Sequence, residues 1–296
     1  MKKRNKTKRK RRIFNKYHSV NRSKKKKVRR KYSYKPISRK RKIDEQPTND
    51  FIKAKLTVAK RGHQKSQLCY NCRKVFDTKD ITKEHIPAKN LFEGYDEKYK
   101  VNRITVPACS ECNGKYSPTD EEFRNMIGVI AKRKENQKIT EKAVKSILRK
   151  ESGKQRLSIN DLGKISGVSF GQTPIEDFHK KNFKGLFYHQ YGTVLPDNYE
   201  LFVNINENDW SDITLGILGY LKDLFTWKHS GHPDILSYVI QPFRIGISNP
   251  TKKDLAPQKD ENIFVGYLDY NKEHAALVLA VRKEYLEEIK NKKASK

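Results

Sequence analysis

The stretch that decides the fold runs from residue 69 to residue 113: CYNCRKVFDTKDITKEHIPAKNLFEGYDEKYKVNRITVPACSECN. It opens on Cys69-Tyr70-Asn71-Cys72 and closes on Cys109-Ser110-Glu111-Cys112-Asn113, and these pairs hold all four cysteines of the chain. Two residues between thiolates is a spacing at which a tight turn aims both sulfurs at one ion. Two such knuckles supply the ligands of a closed, tetrahedral, structural zinc site. Disulfides are the competing use of paired cysteines. The basic N-terminus is followed by no apolar run of a secretory signal, which favours an intracellular, reducing compartment and therefore metal. The gap between the knuckles is longer than in a simple zinc ribbon, so something substantial is inserted there.

The insert carries the chemistry. It contains Glu84-His85-Ile86-Pro87-Ala88-Lys89-Asn90-Leu91-Phe92, then Asn102-Arg103-Ile104-Thr105-Val106-Pro107-Ala108 running into Cys109, with Asn113 directly after the last cysteine. A neutral imidazole can take a proton from water near physiological pH. Carboxylate and amide oxygens suit a hard divalent ion that clamps a phosphate.

In this order the elements resemble the HNH endonuclease family, the ββα-metal fold, in which an acid-His pair lies on a hairpin between two zinc knuckles. The resemblance covers roughly residues 69–125. It implies that His85 is the general base and that Glu84 and Asn113 hold Mg²⁺ or Mn²⁺. It also implies that a structural Zn²⁺ on Cys69, Cys72, Cys109 and Cys112 staples hairpin to helix. The sequence departs from the family pattern twice. Ile104 stands where the family's middle Asn usually lies, with Asn102 two residues earlier as the nearest candidate. The run after His85 reads His-x-Pro where many members have His-x-x-Pro. Asp120 and Glu121 open the next helix, where acids complement the helix dipole or supply one further ligand. Lys89, Arg103 and Lys115 surround the motif as surface charges within reach of flanking phosphates.

Outward from this core, the 296 residues carry 65 Lys and Arg against 34 Asp and Glu, a formal net charge of +31. Residues 1–42 hold 23 of the basic residues and no acid, leaving 42 against 34, a net of +8, for the rest. Such an excess points to a polyanionic partner. The segment 1–50 reads as a disordered basic arm, unable to bury enough apolar surface to fold alone and suited to salt-sensitive contact with phosphates. No apolar stretch approaches the roughly 18 residues of a membrane span.

Residues 51–68 lead into the module with a possible short helix. Ser117 reads as the N-cap of a helix with Pro118 at its first position, and Phe123, Ile127 and Ile130 form its apolar stripe. A second helix is expected over 139–151, followed by a Gly/Ser loop to Gln172. Thr173-Pro174-Ile175-Glu176 then reads as a capping box opening a third helix. Strands are expected at Glu200–Ile205, Ser237–Ile247, Ile263–Asp269 and Ala275–Val281, with a helix near Ser211–Phe225 and another after Arg282. His229-Ser230-Gly231-His232-Pro233-Asp234 reads as a loop, His179 and His189 as core or surface histidines, and Trp210 and Trp227 as core aromatics.

The expected architecture is α+β. A nuclease module at 51–130 follows the arm, then a helical connector at 131–192 and a small C-terminal mixed α/β domain at 193–296. The expected activity is metal-dependent phosphodiester hydrolysis on nucleic acid, DNA ahead of RNA, in the cytoplasm or at the nucleus or nucleoid, with no membrane association. The competing reading is a non-catalytic zinc-binding protein that grips nucleic acid through the arm. Biological role and oligomeric state stay open, although paired nicks on a duplex would favour a dimer.

Overall fold

A computed structural model describes residues 66–131, 136–205, 217, 219, 221, 227–244 and 261–294. The chain divides into two units, Met1–Gln46 and Pro47–Lys296, and every described residue belongs to the second. The basic arm and residues 51–65 lie outside the described residues.

The fold is mixed α+β, and its small sheets are all antiparallel. Strands β1 (Ser66–Leu68) and β2 (Val75–Asp77) pair with each other and carry the first knuckle between them. Strands β3 (Ile81–Ile86) and β4 (Ile104–Cys109) form the next hairpin, with Glu84 opposite Val106, His85 opposite Thr105 and Ile86 opposite Ile104. Its long connection includes the short helix α1 (Glu97–Lys100). Strand alternation decides the orientation of this hairpin. Glu84, Ile86, Ile104, Val106 and Ala108 are buried, whereas Lys83 and Thr105 are exposed.

Helix α2 (Ser110–Lys115) begins inside the second knuckle and ends at Tyr116, where α3 (Ser117–Ile130) begins at once. The chain thus turns from helix to helix, and no residue adopts the extended conformation a side-chain cap needs. Tyr116, with φ −90° and ψ 2°, precedes the first turn, and Ser117 lies inside it rather than capping it. Helix α4 (Gln137–Arg149) packs on α3, and the single turn α5 (Glu151–Lys154) follows.

The expected Gly/Ser loop contains a hairpin, β5 (Leu157–Ile159) and β6 (Ile165–Val168). Its turn is closed by Asn160, whose Oδ1 accepts from the backbone N–H of Leu162 and of Lys164, as a turn-forming Asn does.

Helix α6 (Gln172–Tyr191) is the axle of the unit. Its first turn is not a capping box: Gly171 is the N-cap residue and no side chain caps it, while Gln172 Nε2 donates to Glu176 Oε1 at 2.8 Å. Buried residues lie on every side of it, including Phe178, His179, Lys181, Phe183, Leu186 and Phe187. That is the pattern of a helix enclosed by other elements. One side meets α3, where Phe178 stacks on Phe123 with ring centroids 3.7 Å apart. Another meets the hairpin so closely that a Cβ on Gly185 would lie 2.6 Å from Ile86 Cγ1. A third meets the large sheet, where Phe187 packs edge-on to Phe264 at 5.1 Å.

That sheet has the strand order β7 (Tyr199–Asn204), β11 (His274–Arg282), β10 (Ile263–Tyr270), β9 (Leu236–Pro242), β8 (Lys228–His229). Helix α7 (Lys283–Ala294) follows β11. The strand expected over Ser237–Ile247 ends at Pro242, which cannot donate to a ladder, and residues 245–247 lie outside the described residues. The helix expected near 211–225 also lies outside them, save Ile217, Gly219 and Leu221, which are helical. Ile217 and Leu221 join Val239, Val265, Tyr267 and Leu277 in a second core cluster. Trp227 packs against it and meets Tyr267 edge-on at 5.4 Å. Trp210 is outside the described residues.

The main core is continuous from Tyr70, Ile86 and Val106 through Phe123 and Phe178 to Phe264, Leu268 and Ala280. It is shared by the three segments that the sequence divides at 130 and 192.

Candidate active site

The four cysteine sulfurs lie within 4.8 Å of one another, and Cys72 Sγ is 3.9 Å from Cys109 Sγ. Four sulfurs about 2.3 Å from one tetrahedral ion stand roughly 3.8 Å apart, so the cluster can hold a metal ion such as zinc. The local backbone builds it. Arg73 adopts φ 62° and donates its N–H to Cys69 O at 3.0 Å, which closes the first knuckle. In the second knuckle Cys112 N–H points at Cys109 Sγ at 3.4 Å, and the Asn71 side-chain amide donates to Cys112 Sγ at 3.5 Å. Such N–H···S contacts favour thiolates.

Beside this cluster is a cleft of about 270 Å³ lined by Lys83, Glu84, His85, Ala88, Lys89, Asn90, Asn113, Ser117 and Asp120. Of the residues singled out in the sequence, it gathers Glu84, His85, Asn113 and Asp120. Hairpin alternation puts Glu84 on the inner face and His85 at the rim. His85 is half-buried. Burial, with the nearby cations Arg103 and Lys89, lowers its pKa to about 4, so the imidazole is neutral at physiological pH. His85 Nδ1 is buried without a hydrogen-bond partner. Asn113, at the knuckle end of α2, donates its amide to Thr82 Oγ1 at 2.9 Å, and Thr82 in turn donates to Ala108 O at 3.0 Å. This chain ties Asn113 to the hairpin and leaves its Oδ1 without a protein donor. Lys83 and Lys89 are exposed at the margin, and the Arg103 guanidinium lies over the Phe92 ring at 5.4 Å.

Glu84 is 4% exposed. Its Oε1 lies 2.6 Å from Nζ of Lys181 on α6, which is itself 1% exposed. The same ammonium donates to both oxygens of Asp120, at 2.8 and 2.7 Å. Burial raises the pKa of both carboxyl groups, with Lys181 opposing it. Burial and the adjacent Glu84 hold the Tyr70 phenol far above its ordinary range. Oε2 of Glu84 is buried with no donor in hydrogen-bonding geometry. The Tyr70 phenol lies beside this carboxylate too, and a carboxylate lining a cleft together with an amide suits a hard cation.

Asn102 and Glu121 are elsewhere. Asn102 has φ 59°, is exposed, and its carbonyl accepts from Gly231 N–H at 3.3 Å, which makes it a turn residue outside the cleft. Glu121 points to α4 and accepts from Ser146 Oγ at 2.5 Å. His232 stacks on Tyr99 with centroids 4.3 Å apart, and Ser230 bridges the hairpin by donating to Ile86 O and accepting from Ile104 N–H at 2.9 Å. The loop at 230–234, entered from β8 at His229, therefore clamps the open end of the hairpin.

Two residues around the cleft, Asn90 in its wall and Lys181 behind it, carry no signal in the sequence. Asn90 donates to the Asp120 carbonyl at 3.1 Å. Lys181 is one of two adjacent lysines in an aromatic helix, and no local spacing marks it. Away from the cleft, His179 and His274 are buried together with Nε2 atoms 2.9 Å apart.

Among the described residues no helix is long and apolar enough to cross a membrane. Comparison with protein-family models, with curated proteins and with solved structures gives no significant match.

Proposed function

We propose that the protein is a metal-dependent endonuclease of the HNH type, hydrolysing phosphodiester bonds in nucleic acid, with DNA preferred to RNA. The observation that carries this reading is the convergence of Glu84, His85 and Asn113 on one basic-rimmed cleft beside the four-cysteine cluster. His85 takes the proton of the attacking water as general base. Glu84 Oε2 and Asn113 Oδ1 are the protein oxygens that would hold Mg²⁺ or Mn²⁺. That ion supplies charge neutralisation at the phosphate and at the departing oxygen. Lys83, Lys89 and Arg103 receive flanking phosphates, a contact that fixes backbone rather than sequence. Zinc on Cys69, Cys72, Cys109 and Cys112 staples β3, β4 and α2, so that Glu84 and Asn113 keep their separation.

The competing reading is a zinc-bearing nucleic-acid binder without catalysis. The ion pair of Glu84 with Lys181 favours it, because a carboxylate already neutralised has less call for a divalent ion.

Supercoiled plasmid at low salt, with Mg²⁺ or Mn²⁺ or with EDTA, separates the two. Nicking is expected with the divalent ion only. In His85→Ala it is expected to fall at least 100-fold with zinc content unchanged. Intact, salt-sensitive binding without cleavage of duplex, single-stranded or structured RNA substrates would establish the non-catalytic reading.

A further inference from the structure

Lys181 lies buried behind the cleft wall, and the proposed reaction uses neither it nor its partner Asp120. Its ammonium contacts three carboxylate oxygens, one from Glu84 on β3 and two from Asp120 on α3, at 2.6–2.8 Å. Oxygens gathered that closely around one point need to move inward by only about half an ångström to ligate Mg²⁺ at roughly 2.1 Å. The cluster holds two acids against one lysine, with the Tyr70 phenol beside Glu84 as a neutral neighbour. The position of the ammonium is set by the fold, because Lys181 is sealed from solvent and Gly185, one turn on, lies against Ile86. The Tyr116 ring, 5.4 Å from Nζ, closes another side.

We propose that Lys181 is a built-in cation: its ammonium occupies a carboxylate cation site between Glu84 and Asp120, so that a divalent ion binds beside it, on Glu84 Oε2 and Asn113, and only weakly. One of the two carboxylate charges is therefore balanced before any ion arrives, and Asp120 is withheld from the ion. Its consequence for catalysis rests on the nuclease reading above, but the proposal concerns cation binding alone. A merely structural ion pair would make a different prediction. Removing one partner of a buried pair leaves an uncompensated charge and destabilises the protein, with no particular demand for a divalent ion.

The test uses the full-length, zinc-loaded protein in divalent-free buffer without nucleic acid, with Mn²⁺ as the probe. Free Mn²⁺ is followed by electron paramagnetic resonance, and Tm by calorimetry. Lys181→Met is expected to bind Mn²⁺ about tenfold or more tightly than wild type, since a like charge has left the site. Its Tm is expected to be low without Mn²⁺ and to rise with Mn²⁺ by more than that of wild type. Lys181→Met combined with Asp120→Asn, which removes one acid as well, is expected to recover stability without Mn²⁺ and to lose the tenfold gain. Mn²⁺ binding by Lys181→Met no tighter than by wild type would overturn the proposal, as would wild-type stability of that variant without the ion. If Lys181→Met does not fold alone, refolding with and without millimolar Mn²⁺ reads the same property. Recovery only with Mn²⁺ supports the built-in cation, and no recovery with it refutes the idea. Plasmid cleavage is a separate readout, so the nuclease reading can fail while this one stands.

Discussion

His179 and His274 face each other across 2.9 Å inside a shell formed by Phe123, Phe178 and Tyr270. Burial lowers both pKa values, that of His274 to about 4, and the adjacent His274 adds to the effect on His179. The sign follows from linkage. A histidine depressed in the folded state binds protons more readily when unfolded, so its contribution is fully present above about pH 6.5 and is lost as pH falls towards 4. For His274 the loss is on the order of 3 kcal/mol. Tm is therefore expected to fall between pH 7 and pH 5, and His274→Phe, which fits an aromatic shell, is expected to flatten that fall. An equally steep decline in the variant would remove the pair as its cause, leaving half-buried His85. At this scale the sequence revealed what adjacency encodes. Glu84, His85, Asn113 and the cysteines are legible because each sits in a short pattern whose spacing has a chemical meaning. Lys181 is not, because its partners are distant in the chain and only the tertiary fold brings them within hydrogen-bond reach.

Among the elements, α6 positions the cleft, and its contact with the hairpin rests on one missing side chain. Glycine in an exposed helix interior costs about 1 kcal/mol relative to alanine, so Gly185→Ala would ordinarily stabilise. Here the added Cβ meets Ile86 Cγ1 at 2.6 Å, closer than real contacts allow, and overpacking of this kind costs roughly 1–3 kcal/mol. The expected outcome is a net loss in urea unfolding that is less than additive with Ile86→Ala, which removes Cγ1 and Cδ1 together; simple additivity would show that the two sites do not touch. Four of the five strands of the large sheet were legible within about two residues where they are described, because β-branched and aromatic runs between turn residues have few other uses; the two-residue edge strand β8 reaches into the loop expected from His229. Helix starts were not. Ser117 and Thr173 have cap-forming side chains, yet the chain enters α3 straight from α2, and Gly171 supplies the extended residue before α6. The β5–β6 hairpin lies where Gly and Ser composition points to a loop, and its signal in the sequence is the turn Asn160-Asp161-Leu162-Gly163 between short strands.

At the scale of the whole molecule, the segment that ends at residue 130 owns only part of its core. Tyr70, Ile86 and Phe123 are covered by α6 and by the sheet that follows. A fragment ending at residue 130 is therefore expected to bind metal through its cysteines but to melt without cooperativity; a sharp calorimetric transition in that fragment would contradict the shared core. Chelation of the metal from the full chain should have the opposite locality. The knuckles pack as a small cluster of their own with Phe76 and Ile81, so metal removal is expected to expose the β1–β2 and β3–β4 amides to hydrogen exchange well before those of β10 and β11. The sequence could suggest three segments from shifts in composition, but not that they pack as one, since no pattern along the chain records which apolar faces will meet.

Strand β11 lies between β7 and β10, so the sheet that covers α6 is unfinished until residue 282 has been made. Protein synthesis at about 5–20 residues per second puts roughly 10–30 s between the appearance of Asn113 and that of Arg282. For that interval the growing chain carries its cysteines and its Glu84-His85 pair on an unfinished scaffold, beside the messenger and ribosomal RNA that direct its own production. The sheet behind α6, the helix that carries Lys181 against Glu84 and Asp120, is thus among the last parts of this unit to be completed.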